Sequence, residues 1–139
     1  MRYLLDTNFL AAYVQGRPGA IGRIRPWLLS QEVATSMLVY AEVVEYLLGL
    51  PDSERRRREL RILLRDIRPY GLNYAIVQRY AQLRRVLRPP HGPGLIGDID
   101  TFIAATALEH HLTLVTTDGD FTRVPGLSLM HFPPSALRT

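Results

Sequence analysis

The sequence predicts an α/β fold in which a mostly parallel sheet carries helices on both faces. Short, continuous apolar runs such as 112–117 have the length and character of strands that are buried on both faces. These runs alternate with longer segments whose apolar residues recur at helical spacing, as in strands joined by crossover helices. No repeat or low-complexity segment interrupts the 139 residues, so we expect one domain over 1–139.

Local signals delimit the elements. Gly49 and Pro51 stop the third helix, while Asp52 and Asn73 are suited to cap the fourth and fifth. Pro69 cannot donate a ladder hydrogen bond, so its strand is predicted at an edge of the sheet. The predicted strands are 2–5, 33–35, 67–72, 112–117 and 127–130. The predicted helices are 8–15, 20–30, 37–48, one beginning after Asp52, 73–87 and 98–111, followed by a turn over 121–125 and a loose tail.

Composition excludes several classes of protein. Without cysteine, the chain has no disulfide and no thiolate nucleophile or metal ligand. No apolar run is long enough to span a bilayer and the first residues do not form a signal peptide, so we expect a cytoplasmic protein without a membrane partner. All 17 basic residues are arginine, and the net charge is +4. This balance favours a polyanionic partner such as nucleic acid, although genome composition or heat adaptation explains the missing lysines equally well.

Four acidic residues stand within or beside apolar segments. Asp6 follows the first strand, Glu42 interrupts the third helix, Asp100 lies beside the buried face of the sixth helix, and Asp118 follows strand 112–117. Because ligands bind at the carboxyl ends of parallel strands, Asp6 and Asp118 are predicted to meet at one edge of the sheet, with Glu42 one to two helical turns above it. Burying an isolated charge costs on the order of several kcal/mol, so a cation is expected between these acids.

Helix capping is the simpler interpretation of Asp6, Thr7 and Asn8. Three capping residues exceed the need of one helix end, however, so we expect Asp6 to bind a ligand and Thr7 or Asn8 to support it by hydrogen bonding. Asp98 is predicted to cap the sixth helix, and the alternative is that it supports the cation-binding acids.

The remaining neighbours are assigned to the surface, to a turn or to support. Glu45 shares a helix face with Glu42 but is predicted to face solvent. Asp120 fits a turn with Gly119, although its position leaves the choice of Asp118 slightly ambiguous. Thr116, or Thr117 beside it, is expected to orient one of these two acids through its hydroxyl group.

The ligand chemistry indicates a hard divalent cation. Carboxylate oxygens without cysteine or clustered histidine favour Mg²⁺ or Mn²⁺ over zinc. The sequence has no G-x-G-x-x-G, Walker A or G-x-S-x-G motif, so neither a nucleotide cofactor nor a serine hydrolase is supported. The prediction is therefore a metal-dependent phosphodiesterase. Its expected catalytic and metal-binding residues are Asp6, Glu42, Asp100 and Asp118.

The motifs also resemble those of a known family. They are Asp6-Thr7-Asn8, Glu42 in the third helix, Asp100-x-x-Ile-Ala-Ala-x-Ala-Leu, Leu114-Val115-Thr116-x-Asp118, and Phe121-x-x-Val-Pro-Gly-Leu. Together they resemble PIN-domain ribonucleases, above all the VapC toxins of type II toxin–antitoxin systems, over essentially the whole chain. The resemblance implies a three-layer α/β/α sandwich, a divalent-metal site formed by the same four acids, and cleavage of single-stranded RNA. It also implies a homodimer and inhibition by a VapB antitoxin.

Two arginine groups are candidates for RNA binding. Arg55, Arg56, Arg57 and Arg58 cover more than one helix face, and a solvated surface is as good an interpretation as an RNA-binding patch. The second group is Arg84, Arg85 and Arg88. Two other functions stay open from sequence: a PIN nuclease of RNA processing outside a toxin system, and a PIN-like module that binds RNA or protein without cutting.

Overall fold

A computed structural model describes residues 1–138 of the chain and contains one five-stranded sheet. All neighbouring strands are parallel, and their order is β3-β2-β1-β4-β5. The strands are β1 Tyr3–Leu5, β2 Val33–Ser36, β3 Arg68–Tyr70, β4 Thr113–Thr116 and β5 Leu129–His131. The helices are α1 Thr7–Val14, α2 Pro18–Leu29, α3 Met37–Leu48, α4 Ser53–Leu63, α5 Tyr74–Leu87 and α6 Asp98–Glu109, with 3₁₀ helices at Gly119–Arg123 and Pro134–Leu137. This arrangement confirms the predicted α/β/α sandwich.

The strand order places β1 at the centre, where the chain reverses direction across the sheet. From β1 it moves to β2 and β3 on one side, then crosses to β4 and β5 on the other. All three residues of β1 are buried, which explains its uninterrupted apolar sequence. Such a reversal leaves a crevice beyond the carboxyl ends of the central strands. β1, β2 and β4 end beside one another at this crevice.

Helix caps fix where the elements at the crevice begin. The Asp6 carboxylate accepts the Thr7 backbone N–H at 2.8 Å and so caps α1. Ser36, the last residue of β2, accepts the Leu38 N–H at 3.0 Å and caps α3 directly after the strand. Asn73 caps α5 as predicted, accepting the Ile76 N–H at 2.9 Å. The apolar faces behind these caps form one continuous core.

Two local predictions were wrong. Asp98 does not cap α6: the cap position belongs to Gly97, and Asp98 is the first helical residue. The tail, expected to be loose, forms the 3₁₀ helix Pro134–Leu137, whose Leu137 is buried in the core and which contacts α2. The burial of Leu137 fixes this segment in place, although its proline and polar residues favour an irregular structure.

The predicted turn at 121–125 is largely the 3₁₀ helix Gly119–Arg123, and the last strand begins two residues later than expected. Pro69 lies in the edge strand β3, in agreement with its missing N–H. Within residues 1–138, no helix has both the length and the apolar character needed to cross a membrane.

Candidate active site

Four acids approach the crevice from four different elements. Asp6 follows β1 directly, and Asp118 comes two residues after the end of β4. Glu42 lies in the middle of α3, the helix that follows β2 directly, and Asp100 lies in the first turn of α6. Asp6 is buried, with 5% of its surface exposed, while the other three are partly buried. The structure therefore brings together the four acids that the sequence pattern singled out.

Two threonine hydroxyls connect three of these acids. Thr116 donates to Asp6 Oδ2 at 2.6 Å, and its own oxygen accepts the Asp118 backbone N–H at 3.0 Å. Thr7 donates its hydroxyl to Glu42 Oε1, also at 2.6 Å. Because Thr7 also donates its backbone N–H to Asp6 Oδ1, both oxygens of Asp6 are held by donors. Asp6 is thus an N-cap and a member of the acid group at once.

Asn8 occupies a different place from the one expected. Its side-chain amide donates to the Thr117 hydroxyl at 3.0 Å and not to Asp6. Thr7, the other residue considered for this support, is the one that contacts acids. The sequence could not decide between the two because both are good capping residues.

Burial and mutual repulsion raise the pKa of two of the acids. Burial is the main cause for Asp100, followed by the negative charges of Asp6, Asp118, Glu42 and Asp120, and together they raise its pKa to about 6. Burial also raises the pKa of Asp6, although the hydrogen bonds from Thr116 and Thr7 act in the opposite direction. The negative charges of Asp100 and its neighbours therefore repel one another.

Asp98 and Asp120 are each paired with an arginine. Asp98 Oδ1 accepts from Arg84 at 2.7 Å and from the Tyr80 hydroxyl at 3.0 Å, which directs this exposed carboxylate toward α5. Asp120 lies 3.7 Å from Arg123, and its backbone N–H donates to Asp118 Oδ1 at 2.9 Å. By contrast, none of the four central acids forms an ion pair within residues 1–138.

Tyr80 was not singled out in the sequence. Its ring stacks on Phe102 with 3.8 Å between the centroids, which fixes the hydroxyl that donates to Asp98. The spacing of Tyr80 and Arg84 on one face of α5 was the available signal. It could be used only once α5 was known to pack against α6.

The four acids are neighbours without being a finished coordination shell. In the described part of the chain, no three histidine, cysteine or acidic side chains are arranged to hold one ion as they stand. The other acids raise the pKa of Asp100 without lying close enough, as they stand, to share one ion with it, because charge interactions extend further than metal–ligand contacts. For Asp6 and Glu42, the hydrogen bonds from threonine occupy oxygens that a cation would share.

The arginines proposed for RNA binding fall into separate environments. Arg55 and Arg56 form ion pairs with Asp52 and Glu59. Arg57 and Arg58 line a cavity of about 470 Å³ between α3 and α4. Arg84 is bound to Asp98, whereas Arg85 and Arg88 are exposed near the end of α5. These seven residues do not form one continuous surface.

Comparison with known proteins agrees with the fold. Residues 3–127 match the profile of the PIN domain, so the chain belongs to the PIN domain family. Ribonuclease VapC1 of Haemophilus influenzae strain R2866 is 28% identical over 129 residues, which cover 91% of this chain and 95% of that protein. The resemblance predicted from the motifs is thereby confirmed.

Solved structures show the same architecture. VapBC2 from Rickettsia felis, crystallised bound to a DNA fragment from their promoter, contains a chain that matches with a TM-score of 0.82 and 26% identity, over 94% of this chain and 98% of that one. In FitAcB from Neisseria gonorrhoeae the corresponding values are 0.73 and 27%, over 96% and 98%.

The raised pKa of Asp100, which is caused first by burial and then by the charges of its neighbours, predicts a pH-dependent stability in chelator. Its pKa is about 6 in the folded protein and near 3.8 in the unfolded chain, so its contribution to stability is complete below 3.8 and is lost as the pH rises through 6. We expect wild type to lose about 1 kcal/mol more than Asp100→Asn between pH 5 and pH 8, a value reduced for the solvent screening of a half-buried group. Urea unfolding at both pH values measures it.

Asp66→Asn is the matched control, because Asp66 is an exposed acid outside the site. Its stability should follow that of wild type at both pH values. If the Asp100→Asn curve ran parallel to wild type as well, the pKa of Asp100 would not be raised in the folded protein.

Proposed function

We propose that the chain is a divalent-metal-dependent endoribonuclease and the toxin of a VapBC-type toxin–antitoxin pair. The observation that carries this proposal is the group of four acids without ion-pair partners in the described residues, at the crevice where the sheet reverses direction. Membership of the PIN domain family and a relative named as a ribonuclease support RNA as the substrate. The excess of arginine is in keeping with a polyanion.

The donor chemistry of the site fits Mg²⁺ or Mn²⁺. Carboxylate oxygens are the ligands that these hard cations prefer, and the repulsion among the acids is a cost that a cation would remove. Held by Asp6, Glu42, Asp100 and Asp118, the cation would supply a polarised water and positive charge beside the scissile phosphate.

The side chains divide the remaining work according to their hydrogen bonds. Asp6 is fixed by donors on both oxygens, so its role is to stay in place. Asp100 is partly buried in the first turn of α6, near the other three acids. In this position it would orient the attacking water. Glu42, held by Thr7, completes the negative charge on the side of α3.

The partners are proposed from the comparisons. A solved structure from Klebsiella pneumoniae that is 26% identical to this chain is named as a toxin–antitoxin complex, which supports a VapB-like antitoxin for this chain. We also propose a homodimer and a cytoplasmic location. Light scattering during gel filtration measures the mass directly, and a mass of one chain at micromolar concentration would contradict the dimer.

Purified protein should cleave single-stranded RNA when Mg²⁺ or Mn²⁺ is present and should stop when chelator is added. Asp6→Asn and Asp100→Asn should each reduce the rate by about a hundredfold or more, because each removes charge from the metal site. Addition of the cognate antitoxin should also stop cleavage. A labelled RNA resolved on a gel measures all of these rates.

The exposed Asp66→Asn variant controls for general effects of removing an acid and should retain the wild-type rate. Cleavage that persists in chelator, or in both aspartate variants, would end the proposal of a metallonuclease. If wild type binds RNA and leaves it intact, a module that binds without cutting replaces the enzyme. A nuclease that no antitoxin inhibits would instead belong to RNA processing.

Thr116 should govern metal affinity, although it supplies no carboxylate. Thr116→Val removes both the donor to Asp6 and the acceptor for the Asp118 N–H. Loss of such supporting bonds weakens metal binding by roughly 10- to 100-fold, and Thr116→Ser should restore most of the affinity. Titration calorimetry with Mn²⁺ measures the change.

Thr106→Val is the control for this experiment. Thr106 is also a buried threonine, but its hydroxyl donates to the Phe102 backbone oxygen within α6. Both valine variants lose a buried hydrogen bond, whereas only Thr116→Val should lose metal. Equal Mn²⁺ affinities in the two variants would refute the role of Thr116.

A further inference from the structure

A groove opens beside the acid site and follows one face of α1. Its volume is about 500 Å³, within the range of cavities that hold small ligands. Thr7, Asn8 and Thr117 form the end near the acids. The lining then continues along α1 through Ala11 and Ala12 to Gln15, a distance of roughly 12 Å at the helical rise per residue. We call it the α1 groove.

The far end of the α1 groove is basic. Arg17 and Arg138 line it, and among residues 1–138 no acidic side chain does. Arg17 Nε donates to Gln15 Oε1 at 3.2 Å, which leaves the terminal nitrogens of the guanidinium available to a ligand. The four carboxylates of the acid site thus lie beside one end of the groove, and two guanidinium groups line the other end. That polarity suits a chain of phosphates whose first member lies at a metal.

An exposed aromatic residue lines the same groove. Tyr46 belongs to α3, and 47% of its surface is accessible. Its hydroxyl accepts a hydrogen bond from the Gln15 amide, which holds the ring in place against α1. Proteins bind single-stranded nucleic acid by combining a basic groove with aromatic side chains on which bases stack. The α1 groove has both features.

We propose that the α1 groove binds the single-stranded RNA segment next to the scissile phosphate. Arg17 and Arg138 contact phosphates of this segment, and Tyr46 stacks on one of its bases. The distance from the acids to Arg17 is several times the ~3.4 Å rise per nucleotide of a stacked strand, so these arginines contact nucleotides beyond the one that is cut. This inference rests on the proposed nuclease function and adds the path of the substrate.

Continuity with the acid site favours RNA over a protein segment in this groove. A strand whose phosphate lies at the acids must leave over one of the neighbouring surfaces, and the α1 groove begins at Thr7, which contacts Asp6 and Glu42. An antitoxin segment is the alternative occupant. Measurements of RNA binding and of antitoxin binding by the same variants separate the two occupants.

The test measures RNA binding separately from cleavage. Fluorescence anisotropy in chelator gives Kd for two labelled single-stranded RNAs: a dinucleotide, and a longer strand that extends it on both sides. The double variant Arg17→Ala/Arg138→Ala should weaken binding of the extended RNA about tenfold. Its salt slope should fall by ~1.4, as expected for two lost phosphate contacts on a single strand. Binding of the short RNA should be unchanged.

Two sets of controls isolate the groove. Arg25→Ala/Arg65→Ala removes the same charge from exposed positions outside it and should leave both Kd and slope near wild type. Tyr46→Ala should weaken binding of the extended RNA about fivefold, whereas Tyr46→Phe keeps the ring and should bind as wild type does. A change in Tyr46→Phe equal to that in Tyr46→Ala would overturn the stacking role.

Several results would overturn the groove as an RNA site. One is an unchanged Kd and slope in the Arg17/Arg138 variant, and another is an equal loss in the Arg25/Arg65 control. Variants that bind RNA normally but lose the antitoxin would assign the groove to the antitoxin. Failure of the proposed nuclease function can be told apart from failure of the groove proposal. If the wild-type protein binds RNA without cutting it, the same anisotropy measurements still show whether the groove contributes to binding.

Discussion

The Asp6 carboxylate is buried at the carboxyl end of the central strand, and the organisation of the crevice depends on how its charge is held. Two donors hold it, the Thr7 backbone N–H and the Thr116 hydroxyl. Each of these threonines also contacts a second acid, since the Thr7 hydroxyl donates to Glu42 and the Thr116 oxygen accepts the Asp118 backbone N–H. The bonds that make a buried charge tolerable therefore also set the positions of its neighbours. A change at either threonine acts on more than one acid.

The strand order explains why these residues meet. β1 has β2 on one side and β4 on the other, so α1, α3 and the segment after β4 all begin at the same edge. Asp6 caps the first of these helices while facing Glu42 from the second. A residue that ends a strand and caps a helix has little freedom, because both elements fix its backbone. This rigidity is what a site for a charged ligand requires.

Features that depend on neighbouring residues in the chain could be predicted from the sequence. The position of Asp6 and Asp118 after buried apolar runs was sufficient to predict their meeting, because parallel strands share an edge. The direction of the Asp98 side chain was not predictable in this way. It is decided by Tyr80 and Arg84, which lie 18 and 14 positions earlier and come near only when α5 packs on α6. The sequence left Thr7 and Asn8 as alternatives for a similar reason, since their side-chain partners are distant in sequence. The roles of the four acids as metal ligands stay a prediction.

The outer acids Asp98 and Asp120 differ in their effect on the central group. Asp98 is only two residues from Asp100, yet it is not among the chief causes of the raised pKa of Asp100, whereas Asp6, Asp118 and Glu42 are. Arg84 pairs with Asp98 at 2.7 Å and holds its carboxylate on the side facing α5. Asp120, although it lies 3.7 Å from Arg123, still adds to the negative charge that raises the pKa of Asp100. The proposed metal would lie between the acids and the phosphate, and would reconcile a basic exterior that attracts a polyanion with an acidic centre that repels it.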